Sequence, residues 1–429
     1  MEKFKSEDKE TEIRHHASYV PMLSLEERDR RWGLLRERMV VEGLDCLLLV
    51  GNDIKWGMGL ANVRYVTHIG SSSGVYAVFP LVGEPVVWAD LPHQFFPTSR
   101  YHFTQDWVKD IRPDGGPAPV VEFLKEHKYD HSVIGLVGYS ASILSGDIIP
   151  ATTSDYFYRE LPNASIVNAT GLVNYLRVIK SQEEISFLGK AGEIARKTID
   201  TMIQSAEPGK KECELFADMV HTQLSNGGEA QIFIMLSSGP VAGSGNNKQL
   251  LHGNHQPTVP SMRTLELGDL IICEFHTNYG GYLSAAEFSL YLGKAPDELK
   301  RIHEVGVQCF EKLLEAMKPG ATFREVLDAE REPCLSAGMD YIELGFHQHG
   351  LASAGPLTAV YKPGPGQLAG GRIADLKIRE NMVFGTNIDI HNPRWKKDVG
   401  IMFGDTLHVT KDGARCLVNT PANILEKAV

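Results

Sequence analysis

Strand-like blocks at residues 231–237, 269–275, 282–292, 381–390 and 399–410 fall in groups separated by two helical segments, 296–317 and 323–338. This grouping is the feature that most limits what the C-terminal half can fold into. Strands clustered between helices indicate an α+β organisation. The Gly/Pro-rich stretch 355–371 reads as a mobile loop, and no repeat of solenoid or propeller period interrupts the pattern.

The N-terminal half reads differently. Ser24-Leu-Glu-Glu27 is a capping box, in which the serine accepts from a first-turn amide and the glutamate reaches back. A helix follows, with Leu34, Leu35, Met39 and Val40 as its apolar stripe and Gly43 as its stop. Residues 44–50 then read as a buried strand. Further apolar runs at 75–79, 85–88 and 132–137 alternate with helical stretches such as 118–127, which makes this half α/β. A second capping box, Ser181-Gln-Glu-Glu184, opens a long amphipathic helix through Ile185, Leu188, Ile194 and Ile199. The expected division is a polar leader at 1–23, an α/β domain at 24–172 and a second domain at 173–429.

Composition narrows the function. The 429 residues carry 43 Lys+Arg against 54 Asp+Glu, a formal charge of −11, and nucleic-acid binding draws most of its affinity from basic side chains on phosphates. A nucleic-acid partner is therefore not expected. The longest apolar runs, 47–50 and 270–273, fall far short of the roughly 20 residues of a membrane-spanning helix, so no membrane association is expected either. The charged first twenty residues carry no apolar signal-peptide core. Six scattered cysteines without a CxxC pair fit reduced thiols and a cytoplasmic location.

Histidines and carboxylates gather on the C-terminal blocks and their ends: His252 and His255, Glu274 and His276, Glu287, His347 and His349, then Asp389, His391 and Asp405. Groups that move protons near neutral pH, set among groups that stabilise developing charge, are what a hydrolytic site needs. An imidazole can take a proton from water and return it to a leaving nitrogen. Each residue also has a plainer role open to it: packing for His276, a loop position for His391, backbone orientation for Asp405, and core positions for Tyr65, Trp56 and Trp88.

The order and spacing of these blocks resemble the "pita-bread" enzymes, the peptidase M24-like family of methionine aminopeptidase, prolidase, aminopeptidase P and creatinase. Gly268-Asp-Leu-Ile-Ile-Cys-Glu274 is similar to the family's GDLVLID strand and Gly280-Gly-Tyr-Leu-Ser-Ala-Ala-Glu287 to its GYxSDxTR strand. His347-Gln-His349-Gly350-Leu351 resembles GHGIG, the segment from Glu380 to Asn387 resembles PGMVFTxEP, and Gly404-Asp405-Thr-Leu-His-Val-Thr410 resembles EDTVLVT. Asn62-Val-Arg-Tyr65 and its surroundings resemble the extra N-terminal domain of the prolidase and creatinase branch. The resemblance implies a pita-bread C-terminal domain behind a creatinase-like α/β domain.

The family's peptidases hold two metal ions with two Asp, one His and two Glu. The corresponding positions here are Glu274, Ala285, His349, Asn387 and Gly404, so a two-metal site is not expected. Creatinase, which hydrolyses a C–N bond without metal, supplies the precedent for the main expectation: a metal-independent, cofactor-free hydrolase of a small nitrogen compound. In that reading His255, in His255-Gln-Pro257-Thr258, is the general base, with His252 its rival. Glu287 orients substrate or attacks it, and His349 and Glu274 assist. Asn387, His347, Asp389 and Tyr65 join His252 as substrate contacts. The arginines that grip creatine have no counterpart, since Gly74 takes the place of one and residues 351–365 offer no other.

A hydrolase of a cyclic amidine such as ectoine is, with creatinase, the nearest analogue of that reading. Three alternatives stand beside it: an Xaa-Pro-type peptidase keeping one metal on Glu274, His349 and either Asp389 or His347, a lyase of the same fold, and a non-catalytic binding protein. The branch also implies a homodimer.

Overall fold

Ser24 opens the first helix as its sequence demands. Its hydroxyl accepts from the Glu27 amide at 3.1 Å, and Gly43 ends α1 (Leu25–Glu42) at φ 67, its amide turned back to the Met39 and Val40 carbonyls. The buried stripe departs from expectation. Leu35 and Met39 are buried beside Trp32, whereas Val40 is 66% exposed, because one residue's advance turns a side chain about 100° away from Met39. A buried ion pair completes the inner face: Arg31 Nε lies 2.7 Å from Glu27 Oε1, and Arg31 also donates to the Tyr65 carbonyl.

The computed structural model describes residues 20–52, 58–70, 74–89, 105–113, 116–139, 149–230, 233–241, 249–252, 261–352, 355, 357–359, 373–423 and 425–428. The leader up to residue 19, His255 and most of the 355–371 loop lie outside the described residues. Contacts divide the chain into two units, 1–178 and 179–429.

In the first unit α1 leads to β1 (Cys46–Gly51), α2 (Ala61–Thr67), β2 (Val75–Pro80), β3 (Val86–Trp88), β4 (Asp110–Arg112), α3 (Pro117–Glu126), β5 (Val133–Val137), α4 (Ala151–Glu160), β6 (Ser165–Asn168) and α5 (Thr170–Leu176). The sheet order is β4-β3-β2-β1-β5-β6. Leu48, Val78, Trp88, Ile134, Leu136, Phe123 and Phe157 form its core. Tyr65 is fully buried in this unit with the Arg31 guanidinium 4.4 Å from its ring centre.

The second unit runs α6 (Gln182–Ser205), α7 (Glu212–Ser225), β7 (Phe233–Pro240), α8 (Gln249–His252), β8 (Asp269–Tyr279), β9 (Tyr282–Leu292), α9 (Asp297–Ala316), α10 (Phe323–Ser336), β10 (Asp340–Gln348), β11 (Thr358–Ala359), β12 (Val383–His391), β13 (Gly400–Phe403), β14 (Thr406–Thr410), β15 (Gly413–Cys416) and β16 (Glu426–Lys427). Ser181 and Glu184 form the capping box of α6. Two sheets result, β16-β9-β8-β7 and β11-β10-β12-β14-β15, with β13 paired to β12.

Side-chain alternation along the strands sorts apolar from polar. On the first sheet Ile271, Cys273, Phe275, Ala286, Phe288 and Leu290 pack with Ile199 and Met202 of α6 and Leu215 and Met219 of α7. On the second, Phe346 and Phe384 stack with Phe323 of α10. The opposite faces carry the chemistry and meet between the sheets, where the main chains of Glu287 and Gly404 exchange hydrogen bonds of 3.1 and 3.3 Å. All six cysteines are free thiols, and among the described residues no helix is long and apolar enough to cross a membrane.

Candidate active site

Strand register assembles the site. Glu274 stands opposite Glu287 and His276 opposite Ala285 across β8 and β9, which puts all four on one face. Across β10 and β12 the pairs are Glu343 with Asp389, Gly345 with Asn387 and His347 with Gly385. Glu274, His276, Glu287, Glu343, His347, His349, Asn387 and Asp389 are all buried.

Glu287 ties the two sheets together. Its Oε1 accepts from Asn387 Nδ2 at 2.6 Å and its Oε2 from the Ile388 amide at 3.1 Å. Burial, reinforced by the negative charges of Asp389, Glu274 and Glu343, pushes its pKa well above the usual carboxylate value despite the Ile388 hydrogen bond.

The same burial shifts His347 and His349 in the opposite direction. Burial lowers His347 to about 4. It lowers His349 well below the usual imidazole value, helped by His347, His276 and Lys180. The His347 and His349 ring centres are 4.7 Å apart, and those of His276 and His349 6.2 Å. His276 stacks on Phe233 at 4.0 Å, with its Nε2 3.7 Å from Glu274 Oε1. The Nε2 atoms of both His276 and His349 are buried without a hydrogen-bond partner.

Of the residues expected at the site, Glu274, Glu287, His347, His349, Asn387 and Asp389 come together here. His255 lies outside the described residues, and His252 ends α8 with its side chain undescribed. Tyr65 belongs to the core of the other unit. Sequence reasoning counted His276 in the cluster but gave it a packing role, although it lies two residues from Glu274 and so shares its face. It missed Lys180, which is buried beside Gly350, and Thr406. Asp405 accepts from the Val418 and Thr420 amides at 3.0 and 2.7 Å and so anchors backbone.

The donors do not fit a two-metal centre. Ala285 has no ligating group, Asn387 is engaged with Glu287, and the place a side chain at 404 would need is filled. A Cβ on Gly404 would strike the Thr386 carbonyl and stand 3.1 Å from Glu287 Oε2. Gly404→Glu is therefore expected to lower stability by at least about 1–3 kcal/mol, the cost of overpacking a core, and to add no bound ion. Denaturant unfolding and metal analysis of the variant check both outcomes.

One ion is a different case. Two unpartnered buried imidazole nitrogens, a third imidazole and the Glu274 carboxylate are a donor set suited to a single divalent ion. Among the described residues no group of three such side chains already has the spacing of a metal site, so an ion would have to draw them together.

Comparison with known proteins adds the lineage. A model of metallopeptidase family M24 matches residues 186–411, and one of the creatinase/prolidase N-terminal domain matches residues 31–179. The Xaa-Pro dipeptidase of Pyrococcus horikoshii is 28% identical over 59% of this chain, a stretch that spans 66% of that enzyme. The ectoine hydrolase of Halomonas elongata is 22% identical over 95% of this chain and 99% of its own. Among solved structures, dipeptidase PepE from Mycobacterium ulcerans superposes with a TM-score of 0.70 at 20% identity, covering 95% of this chain and all of that one.

These findings correct the metal-independent reading. The matching model describes metallopeptidases and the relatives include Xaa-Pro dipeptidases, so the metal-dependent alternative with a reduced site replaces it. The physical reason lies in the donor set: Ala285, Asn387 and Gly404 remove the charged ligands of a two-metal site, but His276 stands directly across the ladder from Ala285. With the M24 model matched over more than half of its length, the chain belongs to metallopeptidase family M24.

Proposed function

We propose that the protein is a hydrolase that cleaves the amide-type C–N bond of a small Xaa-Pro-like substrate at the buried face of β8, β9, β10 and β12, with one metal ion instead of two. The observation that carries this reading is the unpartnered Nε2 of His276, buried in register with Ala285 and close to Glu274. Glu274, His276, His347 and His349 would hold the ion, which when bound supplies Lewis-acid polarisation and a water of lowered pKa.

The remaining work falls to the chain. Glu287, pinned by Asn387 and the Ile388 amide, is suited to orienting the substrate's leaving nitrogen. Burial of the whole face excludes water, which strengthens each of these interactions.

A second reading, a non-peptide C–N bond, draws on one observation: similarity to ectoine hydrolase runs nearly the full length of both chains. A panel of Xaa-Pro dipeptides beside ectoine, assayed with and without chelator, separates the two. Turnover of the dipeptides that stops with chelator and returns on adding a divalent ion is the expected outcome. Turnover of ectoine alone transfers the proposal to the second reading, and chelator-resistant turnover overturns the metal requirement.

A further inference from the structure

Thr406 stands at a junction that neither its spacing nor the family comparison assigns a task. It opens β14, is fully buried, and its one hydroxyl meets three polar atoms. The Ala285 amide donates to Oγ1 at 2.8 Å, Oγ1 stands 3.0 Å from the Ala285 carbonyl, and His349 Nδ1 lies 3.2 Å from the same oxygen. A threonine hydroxyl has one hydrogen and two lone pairs. The Ala285 carbonyl can only accept, so it takes that hydrogen. The Ala285 N–H fills one lone pair, and the other is left for His349 Nδ1, which must then carry the hydrogen. A neutral imidazole protonated at Nδ1 has its lone pair at Nε2, the atom that is buried without a partner.

The ring has little room to turn. The His349 amide bonds the Val383 carbonyl at 2.9 Å. On its other side the imidazole lies directly over Gly385, where any Cβ would collide with the ring. Ala285 takes part through its main chain alone, at the position where the resembling family carries an acidic ligand.

We propose that Thr406 is the positioning residue of this centre, fixing His349 as the Nδ1-protonated tautomer so that Nε2 is presented as acceptor or ligand. The inference rests on the site reading above. It deepens that reading by making a β9 backbone–threonine–imidazole relay, and not a carboxylate, the device that sets the ligand's tautomer. Outer groups of this kind change metal affinity or activity by about 10- to 100-fold when removed.

The direct test is ring-nitrogen NMR of the full chain, as purified, with 15N-labelled histidine, His349 being assigned by the resonance missing from His349→Asn. A pyrrole-type Nδ1 and a pyridine-type or metal-bound Nε2 are expected in the wild type. Thr406→Val should lose that preference and about 10- to 100-fold in kcat at little-changed KM, while Thr406→Ser, which keeps the hydroxyl, should restore both. Protonation at Nε2 in the wild type overturns the proposal even if the valine variant fails to fold, and so does an unchanged tautomer in Thr406→Val. Absence of turnover on every substrate overturns the proposed function instead and leaves the wild-type spectrum to decide this one.

Discussion

His349→Ala is expected to lower kcat/KM by about 10²–10⁴-fold, the range lost when a proton-transferring or charge-stabilising group is removed. The ring is fully enclosed, and its Nε2 is buried with no hydrogen-bond partner among the described residues. Removing it deletes a donor that no neighbour can replace, because His347 is already set against Asn387 and His276 is stacked on Phe233. Steady-state kinetics on whichever substrate turns over, alongside thermal unfolding, checks the outcome. A loss smaller than about tenfold in a folded variant contradicts a direct role.

The second large effect concerns stability. Glu330 lies inside α10, completely buried, and neither carboxyl oxygen closes a hydrogen bond. Burial pushes its pKa up to about 8, with the Arg331 charge and the nearby Gly345 amide pulling back only in part. The folded chain thus keeps a proton that the unfolded chain, at the ordinary 4.5, gives up. This contribution to stability is fully present below about pH 4.5, declines as pH rises, and is gone above about pH 8. At 1.36 kcal/mol per pH unit the span amounts to on the order of 5 kcal/mol. Glu330→Gln should remove that slope, so that unfolding free energies of variant and wild type diverge progressively between pH 5 and 8 in the variant's favour. Parallel curves over that range contradict the assignment of a buried, protonated Glu330.

Much of this was legible in the amino-acid order because it rests on local rules. Ser24 and Ser181 announced their helices by capping chemistry that needs only four residues. The strands β8 and β9 were legible as strand-like blocks, and Glu274, Glu287 and His349 stood out through the motifs of the family these blocks resemble. What stayed hidden depends on contacts between distant segments. Thr406 meets Ala285 across 121 positions, and nothing local marks the threonine as more than a β-former. Glu330 and Arg331 sit in an ordinary-looking helix whose burial is set by β10. Val40 was assigned to a stripe that a single residue's rotation denies it.

His276 is the instructive case. In the sequence it reads as a packing residue past the strand core, and only register sets it opposite Ala285 on the Glu274 face. The proposed single-ion site turns on that one pairing, since His276 and Ala285 are neighbours on adjacent strands.

Metal analysis of the purified chain, after loading with zinc, manganese, iron(II) or cobalt(II) and removal of excess, tests the central claim most directly. One equivalent per chain, lost in His276→Ala and kept in Glu330→Gln, is the predicted result. Two equivalents, none with any of the four metals, or one that survives His276→Ala would contradict a single-ion centre built on that histidine.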